Sequence, residues 1–187
     1  IDCRLTDDNP YPEYRHLWEG IFNLGFCGIR RSPVADQILD WWHARLRDYC
    51  YADFADGLHT DQKWMDYAPA FWGEHLQIVR HYGVNVAHWN LIERDLKTND
   101  AGISCKGMPL LLFHYSGVNF ANGRIAERHV PRQRQVYWNE TVTDLVGEYC
   151  RRVEANGRES YRRLSWSYAA YTDGTRLGKL HKRLYRV

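Results

Sequence analysis

Ser32-Pro33 is the strongest constraint the sequence places on its own folding. Serine accepts a hydrogen bond from the first turn of a helix, and proline fits the first helical position, where no amide donor is needed. Val34, Ile38, Trp41, Trp42, Leu46 and Tyr49 follow at helical spacing. They predict an amphipathic helix with one apolar face and the paired tryptophans as core anchors.

The remaining elements follow from shorter signals. Residues 1–18 read as an irregular lead-in, with Asp7-Asp8-Asn9-Pro10 and Pro12. Ile21 to Ile29 is a short apolar run that predicts a buried strand, with Asn23, Gly25 and Gly28 placed where a backbone or ligand comes close. A loop around Gly57 precedes a short helix from Asp61 to Asp66. Leu76–Val79 and Val84–Ala87 predict short strands joined at Gly83, and Leu110–Tyr115 predicts the clearest buried strand. A long helix is expected from Asn139, with Val142, Leu145, Val146, Tyr149 and Val153 on one face. Asn156-Gly157 ends it, a second helical stretch reaches Leu164, and 165–187 forms a basic, aromatic tail with a turn at Thr172-Asp173-Gly174. The expected class is α/β or α+β, folded as one domain over 1–187.

Composition narrows the function classes. The 187 residues suffice for one compact domain, and 25 basic against 23 acidic residues leave no nucleic-acid footprint. A local basic run, Arg176, Lys179, Lys182, Arg183 and Arg186, reads as a solvated surface or as a contact for phosphate or an anionic membrane face. Cys3, Cys27, Cys50, Cys105 and Cys150 are scattered without a CxxC pair, which argues against a zinc or redox motif and suggests reduced thiols in a cytoplasmic protein. The aliphatic run at Leu110–Phe113 is far short of the ~20 residues of a membrane helix. The 8 Trp and 13 Tyr either fill the core or form carbohydrate and protein contact surfaces. Phosphate-loop, GxGxxG, HExxH and GxSxG patterns are absent.

Five blocks occur in a telling order: Glu19-Gly20-Ile21-Phe22-Asn23-Leu24-Gly25-Phe26, Asp61-Gln62-Lys63-Trp64, Asn85-Val86-Ala87-His88-Trp89-Asn90, Phe113-His114-Tyr115-Ser116-Gly117, and Asp173-Gly174 with Arg183-Leu184-Tyr185-Arg186. Together with the Trp41-Trp42 helix they resemble the C-terminal half of a bacterial family of nucleotide-sugar glycosyltransferases with a GT-A fold. The resemblance implies a mixed sheet flanked by helices, and sugar transfer from an activated nucleotide to a glycan or lipid-linked acceptor. It implies Asn23, Gly25, Ser116 and Gly117 at the donor, and Asn85, Trp89 and Asn90 at the acceptor. His114 becomes a ligand to a divalent cation (Mn or Mg), with a core histidine as the other reading. Asp61 becomes the catalytic carboxylate, general base or sugar-orienting group, with a helix cap as the plainer alternative. The Asp-x-Asp element and nucleotide-binding strands of the family's N-terminal half have no counterpart, since Asp7-Asp8 does not follow a hydrophobic strand. The chain, which starts at Ile1, therefore reads as an incomplete enzyme, inactive alone, either self-associating or adapted to a partner. The other reading is a non-catalytic carbohydrate- or protein-binding module. A cytoplasmic site of action, with loose attachment to the inner membrane face, is the expected localisation.

Overall fold

The computed structural model describes residues 15–125, 138–178, 180 and 181. Two compact units divide the chain, Ile1–Gly147 and Glu148–Val187. Asp7-Asp8, Cys3 and the basic positions Lys179, Lys182, Arg183 and Arg186 lie outside the described residues.

Helix α1 (Arg15–Glu19) opens the first unit, followed by α2 (Pro33–Tyr49). Ser32 caps α2 as expected, its hydroxyl accepting from the Ala35 N–H at 3.1 Å. A hairpin of β1 (Ala52–Asp53) and β2 (Leu58–His59) leads to a 3-10 helix over Gln62–Tyr67 and to α3 (Ala68–Trp72). Helix α4 (Leu91–Arg94) precedes an antiparallel sheet of β3 (Leu96–Asn99), β4 (Gly102–Cys105) and β5 (Met108–Pro109). A second hairpin pairs β6 (Val118–Asn119) with β7 (Arg124–Ile125). Helix α5 (Glu140–Ala155) starts under an Asn139 cap, whose Oδ1 accepts from the Val142 N–H at 3.0 Å.

The architecture is α+β: helices with small antiparallel sheets. Among the described residues the parallel pairing that an α/β sheet requires is confined to one isolated bridge, Val86 with Phe113. The reason is local. Asn85 adopts φ 55, a left-handed conformation that takes the chain out of the β region one residue before the bridge. Leu110–Tyr115 is accordingly extended but not a buried strand, and Leu111 is 63% exposed. Ile21–Ile29 is likewise no strand: Ile21, Phe26 and Ile29 are exposed, and the Gly25 N–H is taken by the Asn23 side chain. Leu76–Val79 forms no strand either, with Ile78 and Val79 exposed. The strongest sheet, β3 to β5, arises where the sequence patterns pointed to none. Its register runs from Leu96 opposite Cys105 to Asn99 opposite Gly102.

The core of the first unit is aliphatic. Val86, Ala87, Leu91, Leu96, Cys105, Val142 and Val146 are buried around α4, β3, β4 and the start of α5. Full burial of a valine such as Val86, Val142 or Val146 contributes about 1.5–3 kcal/mol. Burial also raises the Cys105 thiol above its ordinary value, which keeps it protonated and unreactive. Arg94 is buried too, donating from Nη1 to the Tyr82 carbonyl at 3.1 Å, with its guanidinium 5.4 Å from the Tyr82 ring centroid.

Aromatic side chains do not build this core, contrary to the simplest expectation. Among the described residues no Trp, Tyr or Phe is buried. Trp41 instead packs edge-on against Phe71 and Trp72, with centroids 5.7 and 5.2 Å away. Trp42 donates from Nε1 to the Asp61 carbonyl at 3.1 Å. Trp64, Tyr67 and Phe71 stack in sequence, at 28° and 20° between planes, and leave Tyr67 and Phe71 more than half exposed. Such rings are too large for a core this small, and they pack as a half-open layer between α2 and α3.

In the second unit α5 ends at Ala155, and Gly157 (φ 85) turns the chain into α6 (Arg158–Arg162). The expected turn at Asp173 is present: its Oδ1 accepts from the Thr175 N–H at 2.8 Å. A shallow cavity of about 600 Å³ lies against Tyr149, Val153, Asn156 and Tyr161.

Gly83 marks the tightest backbone approach. A Cβ there would stand 1.9 Å from the Pro109 carbonyl oxygen, and the Gly83 carbonyl accepts from the Leu111 and Leu112 N–H groups at 2.8 and 2.9 Å. Gly83→Ala should therefore destabilise the protein by about 1–3 kcal/mol in denaturant titration. Gly73→Ala, where a Cβ meets open space, should leave stability nearly unchanged; equal stability of both variants would contradict this packing.

Candidate functional site

The 3-10 helix over 62–67 anchors the segment that carries Asn23. Gln62 donates from Nε2 to the Glu19 carbonyl at 2.7 Å, and Asp66 Oδ1 accepts the Ile21 N–H at 2.9 Å. The Lys63 ammonium holds the other Asp66 oxygen at 2.9 Å. Gly20 crosses close above, where a Cβ would lie 3.2 Å from Asp66. Lys63 and Asp66 were not singled out from the sequence as site residues, although their i,i+3 spacing puts them on one face of a 3-10 helix.

Two residues beyond this anchor, Asn23 folds over Gly25 and meets Asn85. The Asn85 Nδ2 donates to Asn23 Oδ1 at 2.8 Å and to the Asn23 carbonyl at 3.3 Å. The Asn85 Oδ1 in turn faces His114 Nδ1 at 3.2 Å. Gly25 occupies the gap below: a Cβ on it would stand 2.3 Å from His114 Nδ1 and 2.4 Å from Asn85 Oδ1. Its φ lies outside the left-handed region, so space, not conformation, demands glycine. Trp89 closes one side, its ring edge-on to His114 with centroids 5.1 Å apart.

Backbone pairing sets the height of His114. Its N–H donates to the Val86 carbonyl at 2.7 Å, and the Val86 N–H donates to the Leu112 carbonyl at 3.0 Å. Asn90 fastens this loop from below. It is buried, accepts the Ala87 N–H at Oδ1 (2.8 Å) and donates from Nδ2 to the Asn85 carbonyl at 3.1 Å. Asn90 thus shapes the loop with both ends of its amide, which leaves those two atoms engaged within the protein.

Asn23, Gly25, Asn85, Trp89 and His114, drawn from three separate blocks, are brought together. Ser116 and Gly117 lie two and three positions after His114, but the Ser116 N–H already donates to the His114 carbonyl at 2.8 Å. It is not turned outward to a phosphate, because the chain closes a tight turn there. Asp61 stands apart. Its carboxylate makes no hydrogen bond among the described residues, and its negative charge adds to burial in raising the Cys50 thiol. The backbone at Asp61 is itself helical (φ −79, ψ −36) and no side-chain cap bond forms, so the capping alternative is set aside.

Burial holds the His114 imidazole below its ordinary value of 6.5, and no carboxylate contributes to that shift. One neutral imidazole supplies a single ligand, and a divalent cation needs several more, oxygen ligands above all. Among the described residues no group of three or more His, Cys, Asp or Glu converges on such a site. The ligand-facing chemistry is different. Among the described residues, Asn23 Nδ2 and His114 Nε2 are not consumed by hydrogen bonds, so the cluster offers a neutral amide donor and an imidazole nitrogen.

Comparison with protein-family models, with curated proteins and with solved structures finds no match. No helix among the described residues is long and apolar enough to cross a membrane.

Gly25→Ala should destabilise the protein by about 1–3 kcal/mol and separate Asn85 from His114. Chemical denaturation of the variant checks this. An alanine accommodated without loss of stability would mean that the cluster is looser than described.

Proposed function

We propose that the chain is the C-terminal part of a GT-A-type glycosyltransferase, which moves a sugar from a nucleotide-sugar donor to a glycan or lipid-linked acceptor. The observation that carries the reading is the convergence of Asn23, Gly25, Asn85, Trp89 and His114. Residues assigned to donor and acceptor by resemblance alone come from blocks about 60 and 90 positions apart, yet they share one hydrogen-bonded cluster. Uncharged amide and imidazole groups beside an indole suit sugar hydroxyls, which both donate and accept. Asp61 is the carboxylate proposed to serve the reaction. The helix that begins after it is the one that positions the Asn23 segment.

The divalent cation of the complete enzyme would draw its carboxylates from an Asp-x-Asp element outside this cluster, so no step is assigned to it. On the same reading the isolated chain is inactive, acts in the cytoplasm or at the inner membrane face, and pairs with a missing N-terminal half or with itself. The half-open layer of aromatic rings favours a second reading, a non-catalytic module that binds carbohydrate or protein.

The test is Asp61→Asn in the whole gene product, assayed for sugar transfer. A general base contributes about 10²–10⁴-fold, so kcat should fall by that factor while donor affinity is kept. Full activity, or a change confined to melting temperature, would contradict the catalytic role.

A further inference from the structure

We propose that Asn85 is a positioning residue that fixes His114 as the Nδ1–H tautomer and so leaves Nε2 as a hydrogen-bond acceptor. The chain of bonds fixes the tautomer whichever way each amide is oriented at the outset. The Gly25 N–H can only donate, so the Asn23 side-chain atom 2.9 Å away must be its oxygen. That oxygen cannot donate, so the Asn85 atom 2.8 Å from it must be the amide nitrogen. The same nitrogen lies 3.3 Å from the Asn23 carbonyl, a second acceptor, which fixes it again. The remaining Asn85 atom is then an oxygen, and it faces His114 Nδ1 at 3.2 Å. Two acceptors cannot bond, so Nδ1 carries the proton, and in the neutral ring Nε2 keeps its lone pair.

The relay is held rigid from both ends. Gly25 fills the space beneath the two contacting atoms, and the left-handed backbone of Asn85 is one that asparagine tolerates better than most residues. A lone pair on Nε2 accepts from a hydroxyl and repels an anionic phosphate oxygen. Within the glycosyltransferase reading, on which this last step rests, His114 Nε2 therefore serves as an acceptor toward a sugar hydroxyl and does not bind a phosphate oxygen directly.

Long-range ¹H–¹⁵N correlation spectra of the unmodified chain, recorded at mildly alkaline pH, report which ring nitrogen carries the proton. The His114 signals are assigned by their loss in His114→Gln. The expected result is a protonated Nδ1 and an unprotonated Nε2. Asn85→Gly, which accepts the same backbone conformation, should lose this preference. If Asn85→Gly does not fold, the tautomer of the native chain alone decides. An Nε2–H ring in the native chain, or an Nδ1–H ring undisturbed in the folded Asn85→Gly variant, would overturn the proposal. Neither outcome depends on whether the chain transfers sugar, so the two readings fail separately.

Discussion

The side chain of Asn85 is where three distant stretches of this chain meet, and the arrangement of the site depends on it. Its amide nitrogen binds the 23–25 loop, its amide oxygen faces His114, and its carbonyl is held by Asn90. The residue sits in a left-handed conformation that ends the β pairing of the 83–87 segment after one bridge. What interrupts the sheet is thus what builds the cluster.

Around that point the structure is a small aliphatic core with a polar, close-packed loop cluster resting on it. Val86 and Ala87 are wholly buried directly beside Asn85 in sequence, so the loop that presents Asn85 and Trp89 is anchored by core packing. Glycine enters the cluster for space. At Gly25 and Gly83 a single methyl group would collide with the neighbouring stretch, with side-chain atoms in one case and a backbone carbonyl in the other. Both contacts bring together segments well separated in sequence, so each glycine is a long-range constraint written as a local residue choice.

Much of the helical structure was legible. The Ser32-Pro33 start of α2 and the Asn139 start of α5 follow from capping chemistry, which is local and survives any tertiary setting. The strands were not. Apolar runs at 21–29 and 110–115 look like buried strands, but a turn at 24–25 interrupts the first and the left-handed Asn85 diverts the segment that the second would pair with. The β3–β4 hairpin was missed because Lys97, Thr98 and Asn99 carry little apolar alternation, and one face of the ladder is open to solvent. Of the candidate site, Asn23, Gly25, Asn85, Trp89 and His114 could be named from block order, whereas the anchoring pair Lys63 and Asp66 needed three-dimensional contacts to be seen. The part of Asp61 is given only by resemblance, because a lone carboxylate at the start of a short helix carries no spatial partner in the sequence.

The most direct measurement of the central claim is the response of the Asn23 and Asn85 side-chain amides to sugar ligands, followed in ¹H–¹⁵N spectra. A panel of hexoses and of UDP- and GDP-linked sugars at millimolar concentration suffices, because chemical shifts report weak binding. If the cluster is a carbohydrate site, at least one ligand shifts the Asn23 and Asn85 amides together with His114, and the shifts vanish in Gly25→Ala. If no ligand moves these resonances, or only resonances elsewhere in the chain respond, the cluster is a structural joint and the sugar-binding account is wrong.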